Sequence, residues 1–319
     1  MGFRKPGESK LGGKFLIYGK KGTSKTTFLL SFPKVAIIDA EAGASFYEGT
    51  EKGKNMVLVA NSQSFKDFEE DLDDISENHQ EYGIATFGLD SATKIKENLE
   101  ETIMTIDEKR EKKKGKSIDE TNLSIRSRGR IKYVSKRLQN LKIDLSTKGI
   151  NVVDIAQCKE IKEKQGDQFI TIGYEPDMQK NSDHDYDVVL RSFTEKEPNG
   201  KVHYKAEVEK DRLGIYNTGD IIENPSYDMW KSVLEKRKGD ALNTSFAQQS
   251  EESKEKYEEE AALEERTWKE KMKSLMSGLD DSGKKEVMGE LKEAKVSSFD
   301  NLTQTKEAKV KAIYEKYTK

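Results

Sequence analysis

The stretch "GKKGTSKT", residues 19 to 26, has the residue types that hold a phosphate. The usual pattern is G-x-x-x-x-G-K-[ST]. Gly19, Lys25 and Thr26 fall in register, and Ser24 stands where the second glycine is usual. A loop of this kind turns backbone N–H groups toward phosphate oxygens, and the helix that follows adds its positive end. The binding set is therefore Gly19, Gly22, Thr23, Ser24, Lys25, Thr26 and Thr27. Lys25 would reach the β- and γ-phosphates as a point charge, and the Thr26 hydroxyl would hold Mg²⁺. Ser24 fits freely at a negative φ; at a positive φ it costs about 1 kcal/mol of strain.

Two carboxylates could complete such a site. "TFGLDSAT" ends an apolar run on Asp90. A magnesium-linked carboxylate is expected to end a strand adjacent to the loop strand, although a strand-end Asp can also just cap the next helix. "VAIIDAEAGASFYEG" puts Glu41 just past a second apolar run. Ligands of open α/β sheets bind at that edge. A carboxylate there can orient or deprotonate a water, or it can be a solvated loop residue.

These residues need a frame. "KFLIYG", "KVAIIDA", "NMVLVA", "IATFGLD" and "INVVDIAQ" read as five strands, with helical patterns at "SKTTFLLSF", "SQSFKDFEEDLDDIS" and "RIKYVSKRLQNLKIDLS". In the second pattern Phe65, Phe68, Leu72 and Ile75 share one face. Continuous apolar strands alternating with helices predict an α/β fold with a mostly parallel sheet covered on both faces. "DYDVVLRSF" and "KVHYKAEVEK" flank "EKEPNG" and predict an antiparallel hairpin at the sheet's edge. The core is expected over residues 1–235. A charged linker and helix follow over 236–277, then a small helical module over 278–319.

Bulk composition narrows the classes. The chain has 319 residues, 36% charged and 34% hydrophobic, with a net charge of −3. Any nucleic-acid affinity must therefore come from a local patch. One cysteine, Cys158, excludes an intramolecular disulfide and fits a reducing cytoplasm, the expected location. There is no apolar run of about 18 residues, so no membrane span is expected. "MGFRKPGESKLGGK" lacks the apolar stretch of a secretory signal.

In order and in letters, the chain resembles the RecA-like P-loop ATPases: phosphate loop, then "IIDAEA", then a run ending "LDS", then a run ending in Gln157 within "DIAQ". The resemblance implies ATP and Mg²⁺ as cofactors. It makes Glu41 the catalytic carboxylate, Asp90 the magnesium-linked one and Gln157 the sensor of the γ-phosphate. It implies that Gln157 signals to a DNA-binding loop, here "CKEIKEKQGDQFITIGYEPD", and that Tyr47 stacks on adenine. "VEKDRLG", residues 208 to 214, is similar to the element that neighbouring subunits insert into each other's sites. Lys210 and Arg212 would then act in trans, both on one face of their strand. Within the family the chain is similar to the compact Sak-type phage ATPases that promote single-strand annealing, over about residues 12 to 235.

Residues 109 to 137 hold twelve Lys or Arg against three acids. Basic segments that track phosphates are the main element of single-strand binding. Lys112, Lys113, Lys114, Arg126, Arg128 and Arg130 are the candidate contacts, with a solvated insertion as the alternative. Residues 251 to 265, with eight acids, read as a soluble stretch. Asp183, Asp185 and Asp187 around His184 read as a solvated turn rather than a metal site. The expected partners are single-stranded DNA, further copies of the chain in a filament or ring, and a single-strand-binding protein contacted through the C-terminal region. Two rival readings are a ring-type helicase motor and a nucleotide-binding interaction protein that hydrolyses little.

Overall fold

The computed structural model describes residues 9–113, 123–166, 168–237, 239–242, 244–265, 267–299 and 302–318. The chain divides after Ala247 into two units.

The first unit is built on a nine-stranded sheet. Its parallel strands are β1 (Lys14–Gly19), β2 (Val35–Asp39), β3 (Met56–Ala60), β4 (Thr86–Asp90), β5 (Asn151–Gln165) and β7 (Val188–Lys196). Three antiparallel strands complete it: β6 (Gln168–Pro176) on β5, β8 (Val202–Asp211) on β7, and β9 (Ile221–Glu223) on β8. The order is β3-β2-β4-β5-β1-β7-β8-β9. The mostly parallel core with a C-terminal antiparallel hairpin is as the sequence predicts. One expectation needs correction: β4, which ends on Asp90, is not beside β1. The strand that ends its core segment on Gln157 lies between them.

β1, β2, β4 and the first part of β5 are largely apolar because both faces are covered, whereas β3, at the sheet's edge, leaves Val57 and Leu58 exposed. Phe15 and Ile17 pack with Phe28 and Leu29 of α1 (Lys25–Leu30) and with Trp230 and Leu234 of α5 (Asp228–Lys236). On the other face, Ala36, Ile38, Phe87 and Leu89 meet Phe68 and Leu72 of α2 (Phe65–Asn78), Ile95 of α3 (Ala92–Lys113) and Leu138 of α4 (Ile125–Thr147). Burial of this kind, at about 25 cal/mol per Å² of apolar surface, is the main stabilising term.

Two projections leave the edge that carries the phosphate loop. The first is β5 beyond Gln157 paired with β6. The stretch expected as a loop is thus a two-stranded arm, with Phe169 69% exposed near its tip. The second is the α3–α4 pair. Leu138 packs in the cluster that holds Ala92 and Ile95, Ile131 packs on Ile103, and Ser127 Oγ donates to Asp107 at 2.8 Å. The helices are therefore antiparallel. The part of α4 before Leu138 carries their tip roughly 20 Å farther out, at 1.5 Å per residue.

The second unit contains α7 (Trp268–Gly278), α8 (Asp281–Glu293) and α9 (Gln304–Tyr317), around Met272, Val287, Leu291, Val310 and Ile313. Its packed core thus begins in α7. Thr267 and Glu270 form a capping box that starts α7, and Asp280 caps α8. A further helix, α6 (Phe246–Glu265), spans the division. Among the described residues, no helix is long and apolar enough to cross a membrane.

Candidate active site

The phosphate loop connects β1 to α1. Gly19 is required by space: a Cβ there would lie 2.3 Å from Ser192 Oγ of β7. That hydroxyl is fixed, donating to Tyr18 O at 3.0 Å and sharing a 2.7 Å hydrogen bond with Thr23 Oγ1. Gly22 has φ +74° and Ser24 φ +62°, so both positions are left-handed. Ser24 therefore occupies the conformation that glycine favours, and it carries the strain that a negative φ would have spared. Helix α1 is short, so backbone N–H groups and the charge of Lys25 matter more here than a long helix dipole. Lys25 Nζ donates to Gly19 O at 3.1 Å and Lys20 O at 2.8 Å. Burial lowers its pKa, and the Asp90 and Glu41 carboxylates oppose that shift.

Three carboxylates lie at or just past the ends of β2 and β4. Asp39 and Asp90 are register partners across β2 and β4. Asp39 is 1% exposed and accepts the N–H groups of Glu41, Gly43, Ala44 and Ser45. It shapes the turn that presents Glu41. Asp90 accepts the Thr26 hydroxyl at 2.6 Å. Burial pushes the Asp90 carboxyl up to about 6; the Thr26 hydrogen bond opposes this, and the charges of Glu41 and Asp39 add to it. The Asp90–Ser91 peptide is cis.

Glu41 is exposed and held by two donors. Ser91 Oγ donates to its Oε1 at 2.7 Å, and Gln157 Nε2 donates to the same oxygen at 3.1 Å. Gln157 is register partner to Gly19. Its N–H donates to Thr93 Oγ1 at 2.9 Å, and that hydroxyl donates to Asp177 O at 2.7 Å. One hydrogen-bonded group thus joins Glu41, the start of α3 after Asp90, and the two ends of the β5–β6 arm.

This donor set fits a magnesium nucleotide. The loop has a glycine where a Cβ would strike Ser192, left-handed positions at residues 22 and 24, and a lysine at its end. A hydroxyl and a carboxylate in contact are the protein ligands that Mg²⁺ takes alongside phosphates and waters. Among the described residues, no group of three or more His, Cys, Asp or Glu could hold a metal by itself. The solvated turn expected at Asp183 to Asp187 needs a correction at Asp187, which is buried and paired with Lys14 and Arg212.

The structure brings Gly19, Gly22, Thr23, Ser24, Lys25, Thr26, Thr27, Glu41, Asp90 and Gln157 to one edge. The Tyr47 ring faces Lys52 Nζ at 5.8 Å, a contact that gives adenine stacking no support. Lys210 and Arg212 lie at the opposite edge, because Asp211 pairs with Val188, which pairs with Phe15 near the start of β1. Lys210 donates to His184 O at 2.8 Å, and Arg212, one residue past β8, to Asp187 Oδ1 at 3.1 Å. Lys112, Lys113, Arg126, Arg128 and Arg130 are exposed on the ends of α3 and α4, not on a loop. Lys114 lies outside the described residues. Sequence reasoning missed the parts played by Asp39, Ser91, Thr93 and Ser192. Only Asp39 gave a signal, as the acidic end of an apolar run.

Residues 12–213 match the family model described as an AAA domain. No curated protein matches the sequence. Among solved structures, a KaiC-like protein from the hyperthermophilic archaeon Pyrococcus horikoshii is similar over 67% of this chain and 90% of its own, at 14% identity and a TM-score of 0.38. The family match takes in more than half of the chain, from just before β1 to just past Arg212, and so contains the loop and all three carboxylates. This chain belongs to the AAA domain family, and its first unit is a P-loop ATPase core.

Proposed function

We propose that the protein is a Mg²⁺-dependent ATPase that binds single-stranded DNA and promotes annealing or strand pairing, working as a filament or ring. The observation that carries this reading is Gln157. It donates to Glu41 at the nucleotide edge, and its own strand continues into the exposed β5–β6 arm. A change at Glu41 therefore has a route, through one hydrogen bond and then along a single strand, to a surface outside the site. The basic tip of α3 and α4 extends past the same edge and offers phosphate contacts.

Gly19, Gly22, Thr23, Ser24, Lys25, Thr26 and Thr27 would hold the triphosphate. Thr26 and Asp90 would hold Mg²⁺, which when bound neutralises charge on the phosphates. Glu41, fixed by Ser91 and Gln157, orients a water and takes its proton. Lys210 and Arg212 would serve a neighbouring subunit, since their own loop is a strand's length away.

The test is ATP turnover with and without single-stranded DNA, alongside binding. Lys25→Ala should lose most ATP affinity. Glu41→Gln should bind ATP and turn over about 10²-fold slower or worse, the usual scale for a lost general base. Neutralising Lys112, Lys113, Lys114, Arg126, Arg128 and Arg130 together should flatten the salt dependence of DNA binding. The change in slope is up to about 4 if all six touch phosphates, at about 0.7 each. Turnover that ignores DNA, with an unchanged salt slope, would remove the DNA part of the proposal. ATP binding without turnover in any condition would favour an interaction protein, and directional unwinding would favour a helicase.

A further inference from the structure

Lys20 lies inside the phosphate loop, yet its side chain leaves it. Its backbone oxygen accepts Lys25 Nζ at 2.8 Å and Thr23 Oγ1 at 2.9 Å. Its own Nζ lies 3.3 Å from Glu160 Oε1 and 5.4 Å from the centre of the Tyr174 ring. Glu160 and Tyr174 are register partners at the base of the β5–β6 arm. The other cation near that ring is the Arg191 guanidinium of β7, 5.4 Å away. Arg191 is anchored by Glu207 and Glu209. The Tyr18 hydroxyl, whose proton goes to Glu209 Oε1 at 2.5 Å, also lies 3.3 Å from Tyr174 O. The arm's base is thus held on one side by groups fixed in the sheet. On the other side it is held by a residue of the nucleotide loop.

We propose that Lys20 is a positioning residue that passes the state of the phosphate loop to the β5–β6 arm. The inference rests on nucleotide binding at Lys25. Lys25 Nζ has three donors, and two of them go to the Gly19 and Lys20 carbonyls, so gripping both the β- and the γ-phosphate takes at least one of those two back. When the bond to the Lys20 carbonyl is the one given up, Thr23 Oγ1 alone still holds that oxygen, and the Lys20 peptide is less restrained. The Lys20 ammonium is then displaced relative to Glu160 and Tyr174. An exposed ion pair and a cation–π contact are each weak. The link is therefore graded, with effects of a few fold. It is a second route beside the Gln157–Glu41 pair.

Hydrogen exchange of peptides from residues 159–176, with and without ADP or a slowly hydrolysed ATP analogue, reads the link directly. In the parent, nucleotide should change the exchange rates of the arm severalfold. Lys20→Met should abolish most of that response, and Lys20→Arg, which keeps the charge and the ring contact, should restore it. Glu160→Gln lies outside the loop. It should leave nucleotide affinity within about threefold by calorimetry and still blunt the response of the arm. A merely structural role would shift the arm's exchange equally with and without nucleotide. Three outcomes overturn the inference: an arm in the parent that ignores bound nucleotide, an arm in Lys20→Met that responds as in the parent, or a response in Glu160→Gln equal to the parent's. A parent that binds no nucleotide overturns the proposed function instead, and calorimetry separates that case.

Discussion

Asp90 is 5% exposed, and its carboxyl is pushed from 3.8 up to about 6, chiefly by burial. The difference is about 2 units, and each unit is worth about 1.4 kcal/mol. The ionised carboxylate therefore costs the fold about 3 kcal/mol above its pKa. Because the folded pKa is the higher one, the folded protein binds more protons than the unfolded chain between about pH 4 and 6. This cost is absent below that window, grows through it, and is complete above it. Asn has the same shape, and its Oδ1 can still accept the Thr26 hydroxyl. Asp90→Asn should therefore stabilise the first unit in chelator by about 3 kcal/mol at pH 8 and by almost nothing near pH 4. For a unit of this size, that is a rise in Tm of roughly 6–10 °C at pH 8. Thermal unfolding of both proteins across pH 4 to 8 measures it. Magnesium nucleotide should then close or reverse the gap, since ligand stabilises by RT ln(1 + [L]/Kd) and the variant should need more magnesium to bind it. A gain of equal size at pH 5 and pH 8, or no gain at pH 8, would refute the burial argument. An unchanged magnesium requirement would refute the metal role.

Ser24→Gly should relieve about 1–2 kcal/mol of left-handed strain and lose about 0.4–1 kcal/mol to the freer unfolded chain, for a net gain of about 0.5–1 kcal/mol in denaturant titrations. Nucleotide affinity should stay within a few fold, because the loop already has the glycine-like geometry; a sharp rise in turnover would mean that Ser24 suppresses hydrolysis in the natural chain. Arg212→Ala should cut turnover and spare ATP binding, because a charge supplied to the γ-phosphate matters most as that group departs. Mixing Arg212→Ala with Glu41→Gln should recover part of the activity, since some interfaces then join an intact Glu41 to an intact Arg212, and no recovery in mixtures that co-assemble by light scattering would end the trans role.

Much of the site was legible because its chemistry is local in sequence. The loop needs eight consecutive residues, and the acids of β2 and β4 end apolar runs. Those runs are strands because they are buried on both faces, so the strand ends and the site edge coincide. What was not legible came from tertiary contacts. Ser192 restricts Gly19 from 173 residues away, a relation that no short spacing shows. Insertion of β5 between β1 and β4 depends on pairing, and adjacency in sequence gives no hint of it. The β5–β6 arm reads as a loop because its apolar residues, Ile161, Phe169, Ile170 and Ile172, are exposed and mixed with charge. Lys142 escaped notice for the opposite reason. It is a charge in an apolar layer of α4, and it is buried only because Asp154 and the Tyr186 hydroxyl meet it there.

The charges around the site bear on assembly. Asp39, Glu41 and Asp90 lie at one edge, and Lys25 is the loop cation drawn toward them. Lys94 is close enough to feel Glu41, but its ammonium is committed to Glu97 at 2.6 Å. A triphosphate would bring about four more negative charges, and one Mg²⁺ returns only two of them. Asp90, although its pKa is raised to about 6, is largely ionised at neutral pH and so adds to the imbalance. Lys25 alone does not neutralise what remains as charge shifts toward the leaving phosphates. The Arg212 side chain is 61% exposed, and with Lys210 it stands a full strand length from its own loop. Neither can serve that loop without dismantling β8. Should a further cation beside Lys25 meet the departing γ-phosphate, the exposed Arg212, with the half-buried Lys210 near it, can offer one only to another molecule.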